Sequence, residues 1–289
     1  MHAVEIRELT HIYSPGSAFE KKALDNISFT IGKGEFAGII GHTGSGKSTL
    51  IQHMNALLSP TSGRALIDGE DIHADKSKLK EVRRKVGLVF QYPEHQLFET
   101  TLWKDVAFGP ANMGLPKDEV ARRVKNALAI VGLSEDYYEK SPFDLSGGQK
   151  RRAAIAGVLA MEPRILILDE PTAGLDPRGR DEILSRIKHM HEALGITVIL
   201  VTHNMEDVAR LANTVFVMHN GRIAFSGSPS EVFRFSAELE GIGLAAPRIS
   251  HLARILRDRG VDFADGIFTV ESAGERLLEL IRGRESRKK

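Results

Sequence analysis

The 289-residue chain contains no cysteine, so neither a disulfide framework nor a thiolate metal site is open to it. It also lacks any apolar run near the ~18 residues that a membrane-spanning helix needs. The longest runs, Ile165–Leu168 and Ile196–Val201, have the length of buried strands. Work at a membrane would therefore require docking onto the helices of another protein. The opening stretch MHAVEIRELTHIY alternates and carries acid, which a secretory signal does not. Charge is nearly balanced, at a formal +1, which argues against bulk attraction to nucleic acid. What is present, 42% hydrophobic and 27% charged residues, is enough for a real globular core with room for a smaller appendix.

The pattern along the chain is that of an α/β protein. Val4, Ile6 and Leu9, then the alternating Ile27, Phe29 and Ile31, predict two strands separated by a loop over Ser14–Lys22. Phe36–Ile40 predicts a short strand running into a glycine-rich loop, Ser48–Leu58 a helix, and Val86–Phe90 a buried strand. From Thr101 to Met161 the periodicity is helical. Thereafter strands at Ile165–Leu168, Thr197–Val201 and Thr214–Met218 alternate with helices at Arg178–Ala193 and Met205–Leu211. Mostly parallel strands interrupted by a helical insertion are the expected core. SGSP at Ser226–Pro229 marks a boundary, so the expected organisation is a core over 1–228, a helical subdomain over about 92–161 and an extension over 229–289. Within the extension, helices are expected at Ile249–Arg259 and Ala273–Ile281, a strand at Ile267–Val270, and a frayed basic tail, RGRESRKK.

GHTGSGKST, from Gly41 to Thr49, has the chemistry of a phosphate cradle. Gly41, Gly44 and Gly46 let successive N–H groups of the His42, Thr43 and Ser45 region turn toward one anion. Lys47 supplies a full charge to the β- and γ-phosphates of a nucleotide, and the Ser48 hydroxyl can ligate Mg²⁺. The loop follows an apolar strand and precedes a helix, the context such a loop requires. ILILDE, at Ile165–Glu170, fits as its companion: an apolar strand delivers Asp169 toward Mg²⁺ and Glu170 toward an attacking water. LSGGQ, at Leu145–Gln149, reads as a helix N-terminus capped by Ser146, with the amides of Gly147 and Gly148 free for an anion.

With these motifs in order, the chain resembles the ATP-binding-cassette (ABC) ATPases over roughly residues 3–228, with a P-loop NTPase core. Gln91, AGLD at Ala173–Asp176 and His203 complete the family's ordered set. The resemblance implies that ATP is shared across a dimer, with Ser146, Gly147, Gly148 and Gln149 closing over the nucleotide of the other subunit. It further implies that Gln91 senses Mg²⁺, that His203 contacts the γ-phosphate and that Asp176 lies at the dimer interface. Tyr13 matches the position that stacks on adenine, with Phe19 as the alternative because the loop after Tyr13 is long.

A narrower resemblance follows Gln91. QYPEHQLFETTLWKDVAFGPANMG, at Gln91–Gly114, is similar to the energy-coupling-factor ATPases of prokaryotic vitamin and metal-ion uptake. PTAGLDP, at Pro171–Pro177, and the extended loop after Tyr13 point to the second of the two related ATPases in such systems. PRISHLARILRDRG, at Pro247–Gly260, fits that group's small α/β dimerising extension. The implied partners are a paralogous ATPase or a second copy, a transmembrane coupling subunit seated near Pro93, Gln96, Leu97 and Phe98, and a separate membrane protein that captures substrate. The implied location is the cytoplasmic face of the membrane. A conventional importer cassette remains open on these residues. A soluble repair or translation cassette is disfavoured, since the chain has neither a long coiled coil nor a second ATPase domain.

Overall fold

The computed structural model describes residues 2–245, 247–261, 263 and 267–286. An antiparallel sheet is built from β1 (His2–Tyr13), β2 (Lys21–Gly32), β4 (Ser62–Ile67) and β5 (Glu70–Asp71), in the spatial order β2-β1-β4-β5. Val4, Ile6 and Leu9 all point inward although they break a period of two. The ladder slips between Ile6 and Leu9, and Glu8 sits at φ 49°, so a bulge returns Leu9 to the core face.

A second sheet contains β3 (Phe36–Ile40), β6 (Val86–Val89), β7 (Ile165–Asp169), β8 (Thr197–Thr202), β9 (Thr214–His219) and β10 (Arg222–Gly227), in the order β10-β9-β3-β8-β7-β6. Its strands run parallel except β10, which pairs antiparallel with β9. Both faces are covered, which is why the strands read as unbroken apolar runs. Ile165 and Ile167 join the cluster that holds α1 (Lys47–Met54) between the two sheets. Leu166 and Leu168 face the opposite cluster, formed with α3 (Leu102–Asn112), α4 (Lys117–Ile130), α5 (Gly147–Leu159) and α6 (Pro177–Leu194). The remaining helices are α2 (Leu79–Lys85), α7 (Met205–Leu211), α8 (Pro229–Arg234), α9 (Ser236–Gly241), α10 (Arg248–Asp258) and α11 (Val270–Ser286).

Helix limits follow local chemistry. Asp176 caps α6 by accepting from the Gly179 N–H at 2.8 Å, Pro177 opens the helix, and Gly195 at φ 62° closes it. Ser228 and Glu231 form a capping box at α8, where the turn-rich SGSP stretch had marked a boundary.

Three strands were not expected from the sequence: β4, β5 and β10. Two of the hairpins they form turn on Asp68-Gly69 (φ 52° and 86°) and Asn220-Gly221 (φ 48° and 75°). Positive φ at both central residues is the tight turn that Asp-Gly and Asn-Gly favour, so the signal was present in the dipeptides. The first helix is shorter than expected, ending at Met54. Ala56 turns left-handed at φ 53°, and the N–H groups of Leu57 and Leu58 both return to the Gln52 carbonyl. The strand expected at Ile267–Val270 is absent: Ile267 and Phe268 join no ladder, and Val270 opens α11. The Thr269 hydroxyl accepts from the Ser272 N–H at 3.2 Å and starts a helix instead. Residues 282–286 of the expected frayed tail belong to α11, and residues 287–289 lie outside the described residues. Ala253, Phe263 and Ala273 form a small core of their own beneath the last helices.

Candidate nucleotide site

Parallel register gathers the site. Ile40 lies beside Thr202, Val201 beside Asp169, and Leu168 beside Val89, so β3, β8, β7 and β6 deliver their carboxyl ends to one edge. The glycine-rich loop leaves β3, His203 follows β8, Asp169 and Glu170 end β7, and Gln91 lies just past β6. They line one cleft of about 620 Å³, together with Tyr13, Thr43, Gly44, Gly46, Ser48 and Thr49.

The loop's glycines are required at two points. A side chain at Gly41 would place its Cβ 2.5 Å from the Met218 carbonyl oxygen and 2.6 Å from Ser45 Oγ. Gly46 holds φ 104°, and a Cβ there would meet the Ala23 carbonyl oxygen at 2.6 Å. Ser45, within the loop, is fully buried, its hydroxyl without a hydrogen-bond partner among the described residues. The Lys47 ammonium folds back over the loop and donates to the carbonyls of Gly41 at 2.7 Å and His42 at 3.0 Å. Burial lowers its pKa, and the charges of Glu170 and Asp169 oppose that shift. His42 Nδ1 lies 2.7 Å from its neighbour's carbonyl, at Thr43.

In the same cleft, Ser48 Oγ donates to Asp169 Oδ2 at 3.3 Å. Asp169 is buried, and burial, reinforced by the Glu170 charge, pushes its pKa up to about 6 against the pull of Ser48 and Lys47. Glu170 adopts φ 50°, a conformation that non-glycine residues seldom hold without tertiary support. Its N–H donates to the Val201 carbonyl, and its carboxylate accepts from His203 Nδ1 at 2.8 Å. His203 is mostly exposed toward the cleft, whereas Glu170 is half-buried.

The donor set suits a hard cation. No group of three or more His, Asp or Glu side chains is gathered for a metal among the described residues. Mg²⁺ bound with one carboxylate and a hydroxyl, completed by nucleotide phosphates, needs no such group. Ser48 and Asp169, already in contact, meet that requirement, and Gln91 lines the same cleft.

Tyr13 lines the cleft, with its hydroxyl 3.2 Å from Thr49 Oγ1 and its ring edge-on to His11 at 4.5 Å. Phe19 is 86% exposed and does not line it. Ser146, Gly147, Gly148 and Gln149 do not line this cleft either. Ser146 and Gln149 form a capping box at the start of α5, and among the described residues outside that helix turn nothing lies within 4 Å of a Cβ built on Gly147 or Gly148. That face is open. Asp176 likewise stands apart from the cleft, at the cap of α6. Lys21, Lys22, Asn220 and Gly221 also line the cleft. Only the Asn-Gly turn among them carried a local signal.

A second hollow, about 750 Å³, opens beside the segment after Gln91 and is lined by Gln96, Leu97, Phe98, Asp105 and Phe108 and by α5. Leu97 is buried core that also forms its wall, whereas Phe98 is 56% exposed and meets Phe108 edge-on at 4.9 Å. Pro93 is buried and does not line it.

The family model for the ABC transporter matches residues 24–173. The chain is 56% identical to the energy-coupling factor transporter ATP-binding protein EcfA2 of Clostridium tetani, over 98% of each chain. It is 57% identical to the protein of that name from Clostridium acetobutylicum, covering 96% of this chain and 98% of the other. Among solved structures it is similar to cbiO1 from Clostridium perfringens, described as part of the ABC transporter complex cbiONQ. The TM-score is 0.76 and the identity 44%, over 88% of this chain and 99% of that one. It is also similar to the dimeric cassette MJ0796 bound to ADP and Pi, with a TM-score of 0.69 and 31% identity over 78% of this chain and 98% of that one. Among the described residues no helix is long and apolar enough to cross a membrane.

Proposed function

The chain belongs to the ABC transporter family of ATPases, and on that premise we propose that it is the ATP-hydrolysing subunit of an energy-coupling-factor transporter. It would power uptake of a vitamin or a transition-metal ion from the cytoplasmic face of the membrane. The observation that carries this reading is the extent of similarity. Identity above one half to proteins of that name covers 98% of the chain, well beyond the cassette at residues 24–173.

Tyr13 would stack on adenine, the amides of the Gly41–Thr49 loop would cradle the phosphates, and Lys47 would leave the loop carbonyls for the β- and γ-phosphate oxygens. Ser48, Asp169 and Gln91 would hold Mg²⁺, which supplies neutralisation of phosphate charge. Glu170, oriented by His203, would polarise the attacking water as general base, while His203 Nε2 reaches the γ-phosphate. The open face at Ser146, Gly147, Gly148 and Gln149 would be supplied in trans, with Asp176 near the dimer seam. ATP then bridges two chains, and hydrolysis removes the bridge. The partner cassette would be a second copy or a paralogue. A helix of a membrane coupling subunit would seat in the hollow beside Gln96, Leu97 and Phe98, and a separate membrane protein would capture the solute.

Copurification of the tagged full chain from a membrane fraction tests this reading. Recovery of a second cassette, a coupling protein and a small capture protein is expected. Recovery of a conventional permease instead would sink the energy-coupling assignment and leave the nucleotide chemistry intact.

A further inference from the structure

One buried guanidinium ties together three segments that the site uses separately. Arg151 lies in α5, two residues beyond Gln149, and is only 2% exposed. Its Nε donates to Glu94 Oε2 at 3.1 Å and its Nη2 to Glu94 Oε1 at 2.6 Å. Its Nη1 donates to the main-chain carbonyls of Pro171 at 3.1 Å and Ala173 at 2.7 Å. Glu94 belongs to the short helical turn Pro93–Gln96, just after Gln91. Pro171 and Ala173 lie in the loop that runs from Glu170 to Asp176.

Stability alone is a weak account of such a group. Desolvating two charges is costly, and a buried ion pair is often replaceable by apolar residues with no loss of stability. What an apolar side chain cannot reproduce is the planar fork, which fixes a carboxylate and two carbonyls in one relative geometry. Glu170, beside those carbonyls, sits in a left-handed backbone conformation that its surroundings must enforce. The hollow beside Gln96 and Phe98 is walled on its other side by Ala153, Ala154 and Gly157 of α5. An occupant of the hollow would thus touch the turn that Arg151 grips and the helix that carries Arg151.

We propose that Arg151 is a positioning residue for hydrolysis: gripping Glu94, it sets the loop that carries Glu170 against the segment that carries Gln91. A displacement of the Pro93–Gln96 turn therefore reaches Glu170 by a route that does not pass through the Gln91 side chain. This rests on the roles proposed above for Glu170 and Gln91.

The test compares Glu94→Gln, Arg151→Lys and the double variant in the full chain, by steady-state ATP hydrolysis and thermal melting. Gln keeps the size and an acceptor, and leaves Arg151 bonded to both carbonyls; Lys keeps the charge and loses the fork. Each single variant should lower kcat about tenfold with KM for ATP close to that of the parent, read well below a melting midpoint that falls because the buried pair is broken. The double variant should be no slower than the slower single. Parental kcat in either folded single variant, or losses that multiply in the double, would overturn the proposal, as would a lowered melting midpoint with kcat preserved. Should Arg151→Lys fail to fold, Glu94→Gln alone decides. Glu170→Gln run in parallel separates the two readings. Parental hydrolysis there removes the role of Glu170 and this inference with it. An inactive Glu170→Gln beside parental Arg151 and Glu94 variants removes this inference only.

Discussion

His203 and Glu170 stand 33 positions apart in the chain and share a 2.8 Å hydrogen bond, His203 Nδ1 donating to Glu170 Oε1. The contact exists because β7 and β8 are neighbours in register and the two residues follow their adjacent ends. The bond turns the Glu170 carboxylate into the cleft and fixes the imidazole tautomer, leaving His203 Nε2 free to face a ligand.

Glu170→Gln should therefore keep nucleotide affinity while lowering hydrolysis by roughly 100-fold or more, the scale of a lost general base. In the presence of ATP the variant should elute as a dimer in gel filtration. Phosphate release at the parental rate would remove Glu170 from the chemistry.

Gly46→Ala should damage the phosphate loop more than Gly44→Ala does. Both positions are left-handed, at φ 104° and 83°, but only Gly46 has a carbonyl, that of Ala23, 2.6 Å from where the new Cβ would sit. Backbone strain alone costs about 1–2 kcal/mol at Gly44, and the clash adds a further loss at Gly46 that a flexible side chain cannot relieve. Melting midpoints and equilibrium ATP binding of the two variants measure the difference, and equal losses would contradict it.

Affinity for Mg²⁺ with ATP should fall as pH drops below about 6. Asp169 holds its proton up to about that pH, chiefly because it is buried, so a metal must displace the proton under acid conditions. The expected slope approaches tenfold per pH unit below the pKa. Asp169→Asn should bind the metal weakly and without that slope. A flat parental titration between about pH 5 and 7 would contradict the assignment of Asp169 as a metal ligand.

Acid should destabilise the fold through His53. This residue of α1 is fully buried, with Nδ1 2.7 Å from the Thr49 carbonyl and Nε2 3.2 Å from His11 Nδ1. Burial lowers its pKa from 6.5 to about 4, opposed by the Thr49 carbonyl and aided by His11 and His73. The unfolded chain takes up the proton near 6.5 and the folded chain only near 4, so stability present at neutral pH is lost as pH falls through that window. The loss is at most roughly 3 kcal/mol. Denaturant titrations of the parent and His53→Phe at several pH values measure this contribution together with its coupling to His11 and His73. Parallel pH profiles would show that His53 does not supply it.

The local motifs were legible because their chemistry is local. A glycine loop between a strand and a helix, an apolar strand ending in Asp169-Glu170, and a serine that caps a helix each carry their own signal within a few residues. The parallel core strands were legible for the same reason, since burial on both faces leaves continuous apolar runs. The sequence alone therefore determined that the chain would be an α/β protein, and which of its residues were candidates to hold phosphate, metal and water.

Tertiary structure decided what the parts are next to. No local pattern placed His203 against Glu170, Tyr13 rather than Phe19 at the cleft, or Arg151 beneath the Pro171–Ala173 carbonyls. It separated Phe98, exposed at the hollow, from Leu97, half core and half wall, although the two are adjacent and both apolar. It made Asn220-Gly221 both a hairpin turn and part of the cleft. These relations arise from strand order and register, which the whole core fixes jointly by burying every apolar face at once.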